Sequence, residues 1–285
     1  MRWEDLRQST NVENRGGRGL GGGALVGGGG IAALLIAGVI YPLGGDPSVV
    51  LNQAGAPGAG GQEQAAVDPS DPRIRMSYGV LGSTEDVWGP IFAQRGSQYP
   101  PPTLVTYVGG TQTGCGTGQA AMGPFYCPAD QRVYLDVTFF EELTRRFGGG
   151  GDFAQAYVVS HEVGHHVQHI TGLTETAERL GRQGAESGGV RLELQADCFA
   201  GVWANRANAQ NRSRNGRDLI EPGDIEEGMR AAAAIGDDTL QRSAGRAVNP
   251  ESFSHGSSEQ RMTWLRRGLE TGDPAQCDTF RTNRL

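Results

Sequence analysis

Residues 153–170 read FAQAYVVSHEVGHHVQHI. Alanine, valine and tyrosine recur there at helical spacing with no proline, so a long α-helix is expected, set off by the glycine run 148–151 and with Asp152 as a candidate cap. Within it His161, Glu162, Val163, Gly164 and His165 spell HExxH. Histidines four residues apart are successive on one helical face, separated by about 6 Å of rise, so both imidazoles can reach one tetrahedral ion through bonds of about 2.0–2.1 Å. Glu162 sits beside them, where a carboxylate can act as general base on water activated by the metal. A helix carrying two histidines and a glutamate by coincidence would show the same letters, so the motif needs support from elsewhere in the chain.

That support lies in residues 190–207, VRLELQADCFAGVWANRA, which read as the next long helix. A catalytic zinc takes three protein ligands and keeps a fourth position open, and Glu193 is the candidate third ligand. Asp197, four residues later on the same face, can accept the remaining N–H of a ligating histidine and fix its tautomer. Two carboxylates at this spacing repel each other unless a cation compensates, and a Zn2+ ion with its histidines would do so. His169 lies two turns beyond His161, about 12 Å along the axis, and cannot share an ion with both motif histidines. His166 points a quarter-turn away from His165. Both are expected to be packed or hydrogen-bonded. A longer HExxHxxGxxH pattern fails, because Gln168 and Thr171 stand at its glycine and third histidine. The expected zinc set is therefore His161, His165 and Glu193, with Asp197 behind it.

Farther out, the composition divides the chain. Of 285 residues only 37% are hydrophobic, and the 46 glycines concentrate in the first 65 residues and the run 148–151. Residues 20–43 carry no charge and are long enough to cross a bilayer as a helix, so a single transmembrane anchor is expected there. Arg15 and Arg18 precede it and Asp46 follows, which by the positive-inside rule leaves residues 1–19 as a cytoplasmic tail and puts the remainder in the periplasm or outside the cell. A cleaved signal peptide fits less well, since the tail bears Glu4, Asp5 and Glu13. Residues 44–70 lack apolar periodicity and are expected to be a flexible linker, with the folded domain over 71–285. The net charge of −7 argues against nucleic acid as a partner. All 25 basic residues are arginine.

The four cysteines show no CxxC spacing, so a zinc ribbon or thioredoxin-type pair is excluded and two disulfides in an oxidising compartment are expected. Cys115 with Cys127 would close a glycine-rich loop, and Cys198 with Cys277 would tie the C-terminal tail to the helix bearing Glu193. Further elements are a helix over about 80–92, strands over 103–107 and 132–136, a helix over 139–147, one opened by Pro222 and Asp224, and a last amphipathic helix in SEQRMTWLRRGLE. The strand 132–136 is a candidate to pair with an extended substrate. Arg206, Arg212, Arg214 and Arg217 read as the solvated surface of a polar loop.

Taken together, these stretches resemble the bacterial neutral zinc metallopeptidase family, single-anchor proteins with a gluzincin-like catalytic domain. The likeness is carried by MRWEDLRQSTNVENR at 1–15, AYVVSHEVGHHVQ at 156–168, LELQADCFAGVWA at 192–204, DIEEGMRAAAAIGDD at 224–238, SHGSSEQR at 254–261 and CDTF at 277–280. It implies an α+β, zincin-like domain with a small sheet beside the HExxH helix, and zinc-dependent hydrolysis of a protein or peptide substrate with Glu162 as catalytic base. SHGSSEQR is similar to the segment that follows the ExxxD helix in other gluzincins, which implies that His255 stands near the site and stabilises an oxyanion, with Arg261 as a second candidate. Two other classes stay open at this point. One is a non-catalytic envelope protein whose zinc would be closed by four protein ligands, and the other is a metal-dependent hydrolase of non-peptide amides.

Overall fold

The structure, a computed structural model, describes residues 1–15, 67–119, 123–147, 151–282 and 284–285. In chain order the elements are β1 (Val12–Asn14), α1 (Pro72–Gln94), β2 (Thr103–Tyr107), β3 (Gly110–Thr113), β4 (Gly116–Gln119), β5 (Phe125–Cys127) and β6 (Arg132–Asp136). They are followed by α2 (Phe139–Phe147), α3 (Asp152–Ile170), α4 (Leu173–Glu178), α5 (Gly188–Asn215), α6 (Asp224–Ala234), α7 (Asp237–Ser243) and α8 (Ser258–Thr271). The α+β class expected from the sequence is what forms.

One sheet has the order β1-β2-β6-β5, with the first three strands parallel and β5 antiparallel to β6. In β2 and β6 every residue after the first is buried, as in parallel strands covered on both faces. β3 and β4 form a separate hairpin. Helix α3 packs against α1, α5 and α6 and against β5 and β6, which puts the HExxH helix in the middle of the fold. Around it Trp88 meets Phe199 edge to face at 5.2 Å, and the Trp203 indole N–H donates to Ser83 Oγ at 3.0 Å, so the ring is buried without an orphaned donor.

Two close crossings set the helix positions. A Cβ on Gly164 would sit 3.1 Å from the Ala196 backbone, so the HEVGH helix and α5 touch at the motif itself. At the crossing of α5 with α8, a Cβ on Gly268 would fall 1.9 Å from the Cys198 carbonyl oxygen and one on Gly201 2.3 Å from that of Leu265. Only glycine lets backbones approach so closely. Both expected disulfides are present, Cys115–Cys127 and Cys198–Cys277.

Several expectations are corrected. Residues 1–15 do not stand apart from the domain: Val12–Asn14 pairs with Leu104–Thr106 as an edge strand, and the Met1 side chain is buried in the core. Helix α1 starts at Pro72, capped by Asp71, because Ile74 and Met76 turn inward between arginines that mask the periodicity. The polar stretch to Asn215 continues α5 until Gly216 closes it in the left-handed region at φ 67°. Arg212, Arg214 and, past Gly216, Arg217 are solvated as expected while pairing with Asp218, Asp86 and Asp5, and Arg206 donates to the Gly272 carbonyl. Asp152 lies in the first turn of α3 and makes no side-chain cap, the N-cap being Gly151. Val67, at the end of the expected linker, is buried against the domain. The expected anchor over 20–43 and the linker over 44–66 lie outside the described residues, among which no helix is long and apolar enough to cross a membrane.

Candidate metal centre

His161 and His165 project from one face of α3, and their Nε2 atoms converge on the Glu193 carboxylate, presented by α5 across the Gly164 contact. Nε2 of His161 lies 3.2 Å from Glu193 Oε2, and Nε2 of His165 lies 3.5 Å from Oε1. One donor atom from each of the three residues lies within 4.8 Å of the others. Donors at 2.0–2.1 Å from a tetrahedral ion stand about 3.3 Å apart, so these spacings suit zinc.

Each histidine is oriented from behind. His161 Nδ1 makes a close polar contact, 2.9 Å, with Asp197 Oδ1. His165 Nδ1 lies 2.9 Å from Gln168 Oε1, and the Gln168 amide donates to the Leu192 carbonyl and to Gln195. Asp197, fully buried, is itself clamped. Arg261 donates from Nε and Nη2 to its two oxygens at 2.8 and 2.9 Å, and the Tyr157 hydroxyl donates to Oδ1 at 2.5 Å. Arg261 reaches that depth because the capping box of Ser257 and Gln260 starts α8 just before it and the Gly268 crossing brings α8 against α5.

The charges follow from this packing. Burial pushes both Glu193 and Asp197 toward protonation, but the histidines around Glu193, and Arg261 with His161 around Asp197, outweigh it and hold both carboxylates below the usual range. Burial pulls His161 down, yet Asp197 and Glu193 raise it to about 10 in the metal-free chain. Glu162 is less well compensated: burial raises it to about 7, with Glu193 adding to the rise and His161 opposing it.

His255 also arrives at the site, where the field of Glu193 reaches it and raises its proton affinity despite burial. Its ring is oriented by Asp237, whose Oδ1 lies 3.2 Å from Nδ1 while Oδ2 accepts the backbone N–H groups of Ser254, His255 and Gly256. The arginine stays away from the open side: Arg261 is 2% exposed and faces Asp197, which places it behind the ligands. His166 is fully buried, contacting the Pro100 carbonyl and the Tyr126 hydroxyl, and neither it nor His169 joins the donor set. The strand 132–136 is not available to a substrate, because β2 and β5 occupy both its edges; the edge strand beside the HExxH helix is β5. Tyr157, Gln168 and Asp237 had no signal in sequence beyond ordinary polar positions.

A His/His/Glu donor set on two touching helices, with a buried carboxylate next to the first histidine, defines a metal centre of the HExxH class. The chain belongs to the family described as "Putative neutral zinc metallopeptidase", whose model matches residues 1–280. It is 43% identical to the uncharacterized protein YpfJ of Escherichia coli K12 over 98% of this chain and 99% of that one. It is 45% identical to the uncharacterized protein Rv2575 of Mycobacterium tuberculosis H37Rv over 70% of this chain and 67% of that protein. No solved structure matches.

Proposed function

We propose that this protein is a zincin-like, zinc-dependent peptidase that hydrolyses peptide bonds in an oxidising, extracytoplasmic compartment. The observation that carries this is the convergence of His161, His165 and Glu193 at tetrahedral spacing beside Glu162. Three protein ligands, rather than the four that normally close a structural site, favour a catalytic centre over a scaffold. Zinc held there would act as a Lewis acid that acidifies water and polarises the scissile carbonyl.

The chain's own residues supply the rest. Glu162, buried and with its proton affinity raised to about 7, takes the proton of the attacking water and returns it to the leaving amine. His255, steadied by Asp237, donates to the oxyanion. Beside them β5 offers backbone groups to an extended peptide, a recognition mode that suits a protein or peptide substrate better than a cell-wall amide. The two disulfides support an oxidising location, and the apolar run 20–43 supports attachment to a membrane.

The deciding experiment compares Glu162→Gln with His161→Ala and Glu193→Ala in metal content and in hydrolysis of an unfolded protein. Glu162→Gln is expected to keep zinc and lose hydrolysis, whereas the ligand variants lose zinc. Undiminished hydrolysis by Glu162→Gln defeats the mechanism, and full zinc retention by Glu193→Ala defeats the ligand set.

A further inference from the structure

The N-terminal segment is joined to the catalytic domain by contacts that only physical docking can make. Val12, Glu13 and Asn14 are in register with Leu104, Val105 and Thr106, and the ladder is extended by Leu104 N–H to Asn11 O at 2.9 Å and Arg15 N–H to Thr106 O at 2.8 Å. Upstream, Ser9 N–H donates to Tyr78 O and Arg2 N–H to Leu219 O. Arg132 reaches Glu13 at 2.7 Å.

The domain is shaped to receive this segment. A Cβ on Gly82 of α1 would lie 2.2 Å from the Arg7 carbonyl oxygen, and one on Gly79 would press on Gln8 and Leu6 at 3.1 and 3.3 Å. Those two glycines, one helical turn apart, form a trough in α1 that residues 3–9 fill. Below it Glu85 gathers three donors from the segment: Arg7 at 2.8 Å, Ser9 Oγ at 2.5 Å and Asn11 Nδ2 at 2.8 Å. With its side chain 13% exposed, Glu85 is largely shielded from water by the segment and has its charge met by these donors. The two ends of the intervening chain also meet, since Asn14 Nδ2 donates to the Val67 carbonyl at 3.3 Å.

A bilayer has a hydrocarbon core of about 30 Å, and none of these contacts can form across it. We propose that residues 1–15 and residues 67–285 occupy the same side of the membrane. The number of times the chain between Arg15 and Val67 crosses a bilayer is therefore even, zero included, and the cytoplasmic placement expected for the N-terminal residues of an extracytoplasmic domain is replaced.

The chemistry of the chain makes the test direct, because its four cysteines are all in disulfides and an introduced thiol is the one free thiol present. Thr10→Cys reports on the N-terminal segment and Ser213→Cys, on α5 far from the metal centre, on the domain; both positions are exposed. Each full-length variant, in its bacterial membrane, is treated with a membrane-impermeant maleimide in intact spheroplasts and again after lysis. Both thiols are expected to react fully before lysis. If both react only after lysis, they still share a side, which is then the cytoplasmic one. Labelling of Ser213→Cys in intact spheroplasts with Thr10→Cys protected until lysis overturns the proposal, as does the reverse. A Gly82→Val variant of the Thr10→Cys chain, which fills the trough, is expected to increase proteolytic cutting within residues 1–15 of the purified protein; unchanged resistance overturns the docking on which the argument rests.

Discussion

Replacing Arg261 by methionine keeps much of its length and removes its charge. In the native packing Arg261 is 2% exposed, Asp197 is not exposed at all, and two charge-assisted hydrogen bonds join them at 2.8 and 2.9 Å. Taking away one member of a buried pair leaves an uncompensated charge, which costs about 3–5 kcal/mol. His161 and Tyr157 still face Asp197, which points to the lower end of that range. The cost is read by urea unfolding at neutral pH with a chelator present, so that zinc binding does not enter. Zinc affinity, measured separately by competition with a chromophoric chelator, should fall about 10–100-fold because Asp197 no longer fixes the His161 ring. Arg261→Met combined with Asp197→Asn removes both charges, so the stability losses should be less than additive by about 1 kcal/mol or more while zinc affinity stays weak. Arg261→Lys keeps the charge without the two-pronged geometry and should fall between wild type and Arg261→Met. If Arg261→Met were as stable as the parent and bound zinc equally well, the clamp would have no role in positioning His161.

Three further outcomes are expected. His255→Ala should lower turnover on a peptide by about 10²–10³ while zinc stoichiometry stays constant; unchanged turnover would remove His255 from the mechanism. Burial lowers His166 to about 4, so its contribution to stability is complete above the unfolded value of 6.5 and is lost as pH falls from 6.5 through 4. That amounts to about 3 kcal/mol, and His166→Gln should flatten this part of the stability profile; an unaltered slope would refute the assignment. Gly268→Ala forces a methyl group onto the Cys198 carbonyl and should destabilise by about 1–3 kcal/mol or more in thermal or urea unfolding, with loss of zinc affinity because Arg261 rides on the same helix.

What the sequence made legible was local. His161, His165, Glu193 and Asp197 were readable because each pair spans one helical turn, and helical spacing needs no knowledge of the tertiary fold. The cysteine pairs followed from loop closure and compartment. Residues whose meaning comes from distant partners were not readable. Gln168 and Tyr157 look like any polar residue on a helix until α5 and α8 are packed against them, and Asp237 acquires a role only when the loop at 254–256 folds over it. Whether 132–136 was an edge or an interior strand depended on β5, three residues too short to show alternation. The segment VEN of β1 has the same difficulty, with partners 92 positions away.

That separation also governs when the fold can close. Synthesis runs from the N-terminus, yet Arg2 bonds to Leu219 and Asp5 pairs with Arg217. At about 5–20 residues per second, the first residues wait roughly 10–40 s for those partners to be made. Contacts of such long range are slow to form because the loop must close before anything rewards it. The candidate metal ligands, only 32 residues apart from His161 to Glu193, belong to a segment completed earlier. Nascent chains therefore pass through a stage in which the helices bearing His161 and Glu193 exist and the trough on α1 already has residues 3–9 at hand, while Arg2 and Asp5 still await Leu219 and Arg217 and the N-terminal segment is held at one end only.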